Sequence, residues 1–106
     1  MVKRGEVWLV ALDPTVGSEI QKTRPCVIVS PDELNASLRT VIVVPMTTGS
    51  RPAAFRVAVQ FKGKDGLALP DQVRTVDRGR LVKRAGTIDV NILNEILHTL
   101  QASFAI

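Results

Sequence analysis

The sequence predicts a mainly β fold with a C-terminal helix, built on a small, strongly curved sheet or barrel. Three observations carry this. Short runs rich in Val and Ile are bounded by turn residues and are too short for core helices. The first three runs are apolar on both faces, so each face of the sheet needs a cover. Near the end of the chain, the apolar spacing changes from the period of a strand to that of a helix.

Taken in order, residues 6–12 (EVWLVAL) form the first strand and residues 26–30 (CVIVS) the second. Pro31 suits the first turn of a short helix through Asp32, Glu33, Leu34 and Asn35. Residues 40–45 (TVIVVP) form another strand. Residues 55–60 (FRVAVQ) alternate, with Phe55, Val57 and Val59 on one face and Arg56, Ala58 and Gln60 on the other. Residues 67–69, 72–76 and 84–88 are further strands with polar breaks. Asp89 is placed to cap a helix whose Leu93, Ile96, Leu97, Leu100 and Phe104 fall on one stripe. At about 1.5–3 kcal/mol per fully buried large apolar side chain, that stripe can anchor the helix to the sheet or to a partner.

With 106 residues, 45% hydrophobic and 23% charged, residues 1–106 form one domain with a single modest core, and any site is a surface groove. Fourteen Lys and Arg against ten Asp and Glu give a net charge of +4, which favours polyanionic partners. The single cysteine, Cys26, lies in an apolar run, forms no internal disulfide and reads as a small buried side chain. The basic start Met1-Val2-Lys3-Arg4 is interrupted by Gly5-Glu6 before an apolar stretch develops, and no run approaches the roughly 20 residues of a membrane helix. The expectation is a soluble cytoplasmic protein without membrane contact. One His and one Cys make no usual zinc site, and no phosphate-binding or dinucleotide-binding loop is present, so no metal and no cofactor are expected. His98 reads as a partly exposed helix residue. Any catalysis falls to Arg, Thr and Asp.

Three places could supply it. The long loop of residues 13–24 ends in Lys22-Thr23-Arg24-Pro25, where Pro25 stiffens the backbone beside Arg24. The Arg24 fork matches a phosphate, although a solvated surface arginine has the same local sequence. In Pro45-Met46-Thr47-Thr48-Gly49-Ser50, hydroxyls stand at a strand end, where they either donate to a phosphate or satisfy a turn. Asp71-Gln72-Val73-Arg74-Thr75-Val76-Asp77 is followed by Arg78, Arg80, Lys83 and Arg84, the densest positive stretch, which either lines a nucleic-acid groove or forms a solvated face.

In combination, Gly5-Glu6-Val7-Trp8, Asp13-Pro14-Thr15 with Gly17-Ser18-Glu19, Thr23-Arg24-Pro25, Pro45-Met46-Thr47-Thr48 and the segment from Asp71 to Asp77 resemble the MazF/PemK/Kid toxins of bacterial toxin-antitoxin modules. The similarity runs in order over nearly the whole chain. It implies a small SH3-like barrel of curved antiparallel sheet with a short and a C-terminal helix, a homodimer, and a metal-independent endoribonuclease that cuts single-stranded RNA at short motifs. Arg24 and Thr47 then serve cleavage and Asp71 is a second-tier candidate. Kid-like members carry an arginine two residues before that aspartate, whereas this chain has Leu69. RNA contacts are expected from Thr15, Glu19, Gln21 and Lys22 in the long loop, Thr48 and Ser50, and Gln72, Arg74, Arg78, Arg80 and Arg84. A cognate antitoxin with an acidic, disordered tail would block the groove.

The implied chemistry is attack of the RNA's own 2′-hydroxyl on the adjacent phosphorus, leaving a 2′,3′-cyclic phosphate and a 5′-hydroxyl. Arg24 would neutralise the phosphate and Thr47 would donate to it. Asp71 is the carboxylate among the matching motifs that could take a proton, although a carboxylate is a weak base at neutral pH. Two other classes compete: a nucleic-acid-binding module of the same shape without cleavage, and a CcdB-like gyrase poison acting through its C-terminal end. The apolar finish Ser103-Phe104-Ala105-Ile106 reads as a packing segment.

Overall fold

The computed structural model describes residues 1–106. Its elements are β1 Glu6–Ala11, β2 Thr23–Ile28, α1 Asp32–Ser37, β3 Thr40–Thr47, β4 Val57–Phe61, β5 Lys64–Ala68, β6 Arg74–Asp77, β7 Leu81–Thr87 and α2 Val90–Ser103. Single 3-10 turns at Pro70–Gln72 and Arg78–Arg80 join β5 to β6 and β6 to β7. Every strand pairing is antiparallel, along the path β4-β5-β3-β2-β1-β7. Strand β3 is shared on its other edge: residues 40–43 pair with β6, while Met46 and Thr47 pair with β5. The backbone of Leu69 bridges the change of partner by donating to the Pro45 carbonyl at 2.9 Å.

Alternate residues of the central strands enter two separate cores, where the chain length suggested one, which explains why these runs are apolar on both faces. Val27, Val44, Met46, Val57, Val59 and Ala68 pack on one side, beneath Ile96 of α2. Cys26, Ile28, Val41, Val43 and Val76 pack on the other, closed by Val2, Val10 and Leu12. The helix therefore covers one face, and the curl of the sheet with the N-terminal segment covers the second. Helix α2 starts as its sequence predicts, with Asp89 Oδ1 accepting from the Asn91 N–H at 2.8 Å. Ile96 is fully buried, with Ile92, Leu93, Leu97 and Leu100 around it. Ser30 and Asn35, the two buried polar side chains, satisfy each other. Asn35 Nδ2 donates to the Ser30 carbonyl at 3.0 Å, and Ser30 Oγ accepts from the Ile42 N–H at 3.0 Å, tying α1 to β3.

Several sequence expectations are corrected. Phe104 follows the last residue of α2 and is 75% exposed, so it leaves the apolar stripe, and Ile106 is exposed too. Within this chain the last six residues are exposed and do not pack on the sheet. Strand β4 begins at Val57, and Phe55 is half-exposed beneath the Arg56 guanidinium, 5.5 Å from its ring. Strand β2 starts three residues early, at Thr23, which brings Arg24 and Pro25 into the sheet. The expected strand 72–76 divides into a 3-10 turn and β6, and the expected strand 84–88 extends back to Leu81. Lys62 and Gly63, both at positive φ (51° and 77°), form the two-residue turn joining β4 to β5.

Candidate active site

Strands β2 and β3 pair with Cys26 opposite Pro45 and Val27 opposite Val44. Arg24 and Thr47 lie two residues beyond the first of these pairs, each still inside its strand and so on the strand face that carries Cys26 and Pro45. Both residues line one open groove of about 460 Å³. Leu9, Pro25, Met46, Val59 and Ala85 also line it. Lys62, Lys64, Asp65 and Gly66 come from the β4–β5 hairpin, and Lys83 and Arg84 from β7. The groove is thus the opening between the two ends of the strand path, with the Arg24–Thr47 pair at its rim.

The local bonding leaves donors available. Arg24 Nε donates to the Gln21 carbonyl at 3.1 Å, and neither terminal nitrogen of that guanidinium has a protein partner. Thr47 Oγ1 accepts from the Gly49 N–H at 3.2 Å, so its own proton remains to be donated. Gly66 lets β5 approach: a Cβ built there would lie 2.8 Å from the Thr47 carbonyl oxygen. Five basic residues, Arg24, Lys62, Lys64, Lys83 and Arg84, line this groove against one acidic residue, Asp65. Such a surface concentrates anions.

Arg84 is fixed from behind. Its Nε donates to Glu6 Oε2 at 2.9 Å and its Nη2 to Thr87 Oγ1 at 2.9 Å. Burial alone would raise the Glu6 pKa, but the Lys3 backbone N–H, the Trp8 indole N–H and Arg84 outweigh it and hold the carboxyl below its ordinary value near 4.5. A depressed folded-state pKa contributes stability that is present above the unfolded value and is lost as pH falls through the folded one. In urea melts from pH 7 to pH 3, the stability gap between the protein and Glu6→Gln is therefore expected to narrow once pH drops below about 4.5. A gap constant across that range would show that Glu6 contributes nothing through its charge.

The other candidates are placed differently. Asp71 lies in a second depression of about 440 Å³, with Glu19, Gln72 and Arg74, and does not line the groove of Arg24 and Thr47. Both its oxygens are engaged by Arg56, at 3.3 Å from Nε and 3.2 Å from Nη2, while Arg56 Nη1 donates to the Arg51 carbonyl. Gln72 fastens the long loop, accepting from the Ile20 N–H at 2.7 Å and donating to the Ser18 carbonyl at 3.3 Å. Arg74 donates to the Leu12 carbonyl, Arg80 to those of Ala11 and Asp13, and Arg78 to that of Leu38. Thr15 bonds Asp13, and Glu19 accepts from the Val16 N–H. Gln21 and Lys22 are exposed beside Arg24; Thr48 lines the groove and Ser50 is half-buried near it. Cys26 is fully buried, and that burial, against a smaller opposing pull from Arg74, pushes its thiol up to about 12, leaving it inert at neutral pH.

The family model described as PemK-like, MazF-like toxin of type II toxin-antitoxin systems matches residues 3–104. The chain belongs to that family. It is 43% identical to the Escherichia coli protein named endoribonuclease PemK, over 93% of this chain and 79% of that protein. It is 31% identical to endoribonuclease EndoA of Bacillus subtilis, over 100% of this chain and 97% of that one. The fold is similar to that of MazF from Deinococcus radiodurans, with a TM-score of 0.88, 22% identity and coverage of 99% and 97% of the two chains. It is also similar to a mycobacterial endoribonuclease solved with its cognate antitoxin, at a TM-score of 0.81 and 23% identity over 97% and 94%. The curled, mostly β architecture with two helices is thus the fold of the MazF structures.

On this PemK-like, MazF-like framework, the groove residues that sequence reasoning missed are Lys62, Lys64 and Asp65. The available signal was the Lys62-Gly63-Lys64-Asp65-Gly66 stretch, a charged hairpin turn directly after an apolar strand. Arg56, the partner of Asp71, was read only as the solvent face of a strand.

Proposed function

We propose that this chain is the toxin of a type II toxin-antitoxin pair: an endoribonuclease that cuts single-stranded messenger RNA at short motifs, without metal, and so halts translation and growth. One observation carries the reading, namely that Arg24 and Thr47, two residues beyond the paired Cys26 and Pro45, line a single cationic groove with hydrogen-bond donors still free. The 2′-hydroxyl is the nucleophile, so no water has to be activated. As it attacks phosphorus, negative charge grows on the non-bridging oxygens. The terminal nitrogens of Arg24 are suited to receive that charge and Thr47 Oγ1 to donate a hydrogen bond to it. The P–O5′ bond breaks as the 2′-hydroxyl gives its proton to solvent in the open groove and O5′ takes one from it, giving 2′,3′-cyclic phosphate and 5′-hydroxyl ends.

Asp71 takes a different part in this reading. With both oxygens held by Arg56, it serves as the anchor that ties the segment before β4 to the turn after β5, rather than as a proton acceptor. Gln72, Arg74 and Arg80 likewise shape the long loop, while Lys62, Lys64, Lys83 and Arg84 supply the field that holds the RNA backbone. The chain works as a cytoplasmic homodimer and is silenced by an antitoxin whose acidic tail occupies the same cationic groove. No helix is long and apolar enough to cross a membrane.

Incubation of the purified protein with a long RNA in EDTA, followed by primer extension and end-group analysis, tests this directly. Discrete cuts at one recurring motif with cyclic phosphate ends are expected. RNA bound but left intact would make the chain a binding module, and inhibition of gyrase with RNA untouched would assign it to the gyrase poisons.

A further inference from the structure

We infer that Asp65 is a specificity-determining residue, one that admits an amino-bearing base beside the scissile linkage and turns uracil away. The inference rests on the ribonuclease reading above. Asp65 is the one acidic residue among those lining a groove to which five basic residues contribute. It nonetheless forms no ion pair and no side-chain hydrogen bond within the chain, whose two ion pairs are Arg56–Asp71 and Arg84–Glu6. A carboxylate is a poor neighbour for a phosphate backbone, and an unpaired one in a phosphate-binding groove weakens backbone affinity. Its chemistry fits the other part of a nucleotide, the base edge, where it is an acceptor for N–H donors.

Its position fits the same role. Thr47 is opposite Leu67, and Asp65 lies two residues from Leu67 along β5, so Thr47 and Asp65 share a face. Diagonal neighbours of this kind are separated by about 7–8 Å, the reach of a single nucleotide. Gly66 fixes the spacing by letting β5 press against the Thr47 carbonyl. A phosphate at Arg24 and Thr47 therefore leaves an adjoining base within range of the Asp65 carboxylate.

The discrimination follows from donor patterns. Adenine, cytosine and guanine each offer an exocyclic amino group to an acceptor. Uracil offers one ring N–H flanked by two carbonyl oxygens, which repel a carboxylate. Asp65→Asn removes the negative charge and adds a donor of its own, so it can pair with uracil.

The test is cleavage of a randomised RNA pool by the full-length protein and by Asp65→Asn and Asp65→Ala, with sequencing of the cut sites. The wild-type motif is expected to exclude uracil at one position next to the cut. In Asp65→Asn the uracil-containing sites at that position should rise about ten-fold relative to the rest, and in Asp65→Ala the preference there should flatten. Thermal melts of both variants should match the wild type, because Asp65 is exposed. An unchanged motif in both variants overturns the inference, including the case in which they bind all RNA more tightly because a repulsive charge has gone. If the wild type cuts no RNA, the ribonuclease reading itself fails. If it cuts and the motif ignores Asp65, only this inference does.

Discussion

Arg24→Ala is expected to lose a factor of about 100 or more in cleavage rate while keeping its melting temperature, by analogy with removing one donor to a developing oxyanion. The reasoning is local. Arg24 contributes a single side-chain hydrogen bond to the fold, from Nε to the Gln21 carbonyl, and its terminal nitrogens contribute none. RNA affinity should fall much less, since Lys62, Lys64, Lys83 and Arg84 remain in the groove. Arg24→Lys preserves the charge but not the planar fork and should recover only part of the rate. Single-turnover cleavage alongside a binding titration separates the two effects. Near-normal turnover in Arg24→Ala would remove this residue from the mechanism.

Gly66→Ala is expected to damage activity without touching a functional group. The added methyl would meet the Thr47 carbonyl oxygen at 2.8 Å and the carbonyl carbon at 3.4 Å, and both are backbone atoms that cannot swing aside. Strand β5 must move away from β3, which displaces Thr47 relative to Arg24. A misplacement on the order of 1 Å costs up to about 100-fold in rate, and forcing a methyl into a packed contact costs about 1–3 kcal/mol of stability. Cleavage assays and urea melts on the same preparation should show both losses. Wild-type rate together with wild-type stability would mean that the β3–β5 contact is looser than the geometry describes.

The strands richest in Val and Ile were legible because both of their faces are buried, so nearly every residue carries the signal; Val41, Val43 and Val44 are fully buried. The start of α2 was legible because an aspartate cap acts within a few residues. Strand β5 was largely hidden. Lys64, Asp65 and Gly66 have low strand preference, and they are extended because β4 supplies their partners. Phe55 misled because the alternation runs two residues ahead of the start of β4 at Val57, past Arg56, which turns toward Asp71.

At the site, Arg24 and Thr47 each had an ordinary local sequence, and it was the ordered set of motifs that singled them out. The positive stretch from Arg74 to Arg84 was visible as charge, but a count of charges cannot distinguish a guanidinium that faces solvent from one that holds carbonyls. Arg74, Arg78 and Arg80 hold carbonyls. Lys62 and Lys64 escaped notice because they reach the groove only through the β4–β5 hairpin.

The long loop is fastened at its root by Arg74 and Arg80 and along its flank by Gln72, whereas at its tip Val16 and Glu19 bond only each other. Such a segment resembles a finger set in a rigid knuckle. Residues at the fingertip are free to be exchanged without the sheet registering the change, so the reach of the protein over its substrate can be retuned independently of the framework that holds the reacting groups.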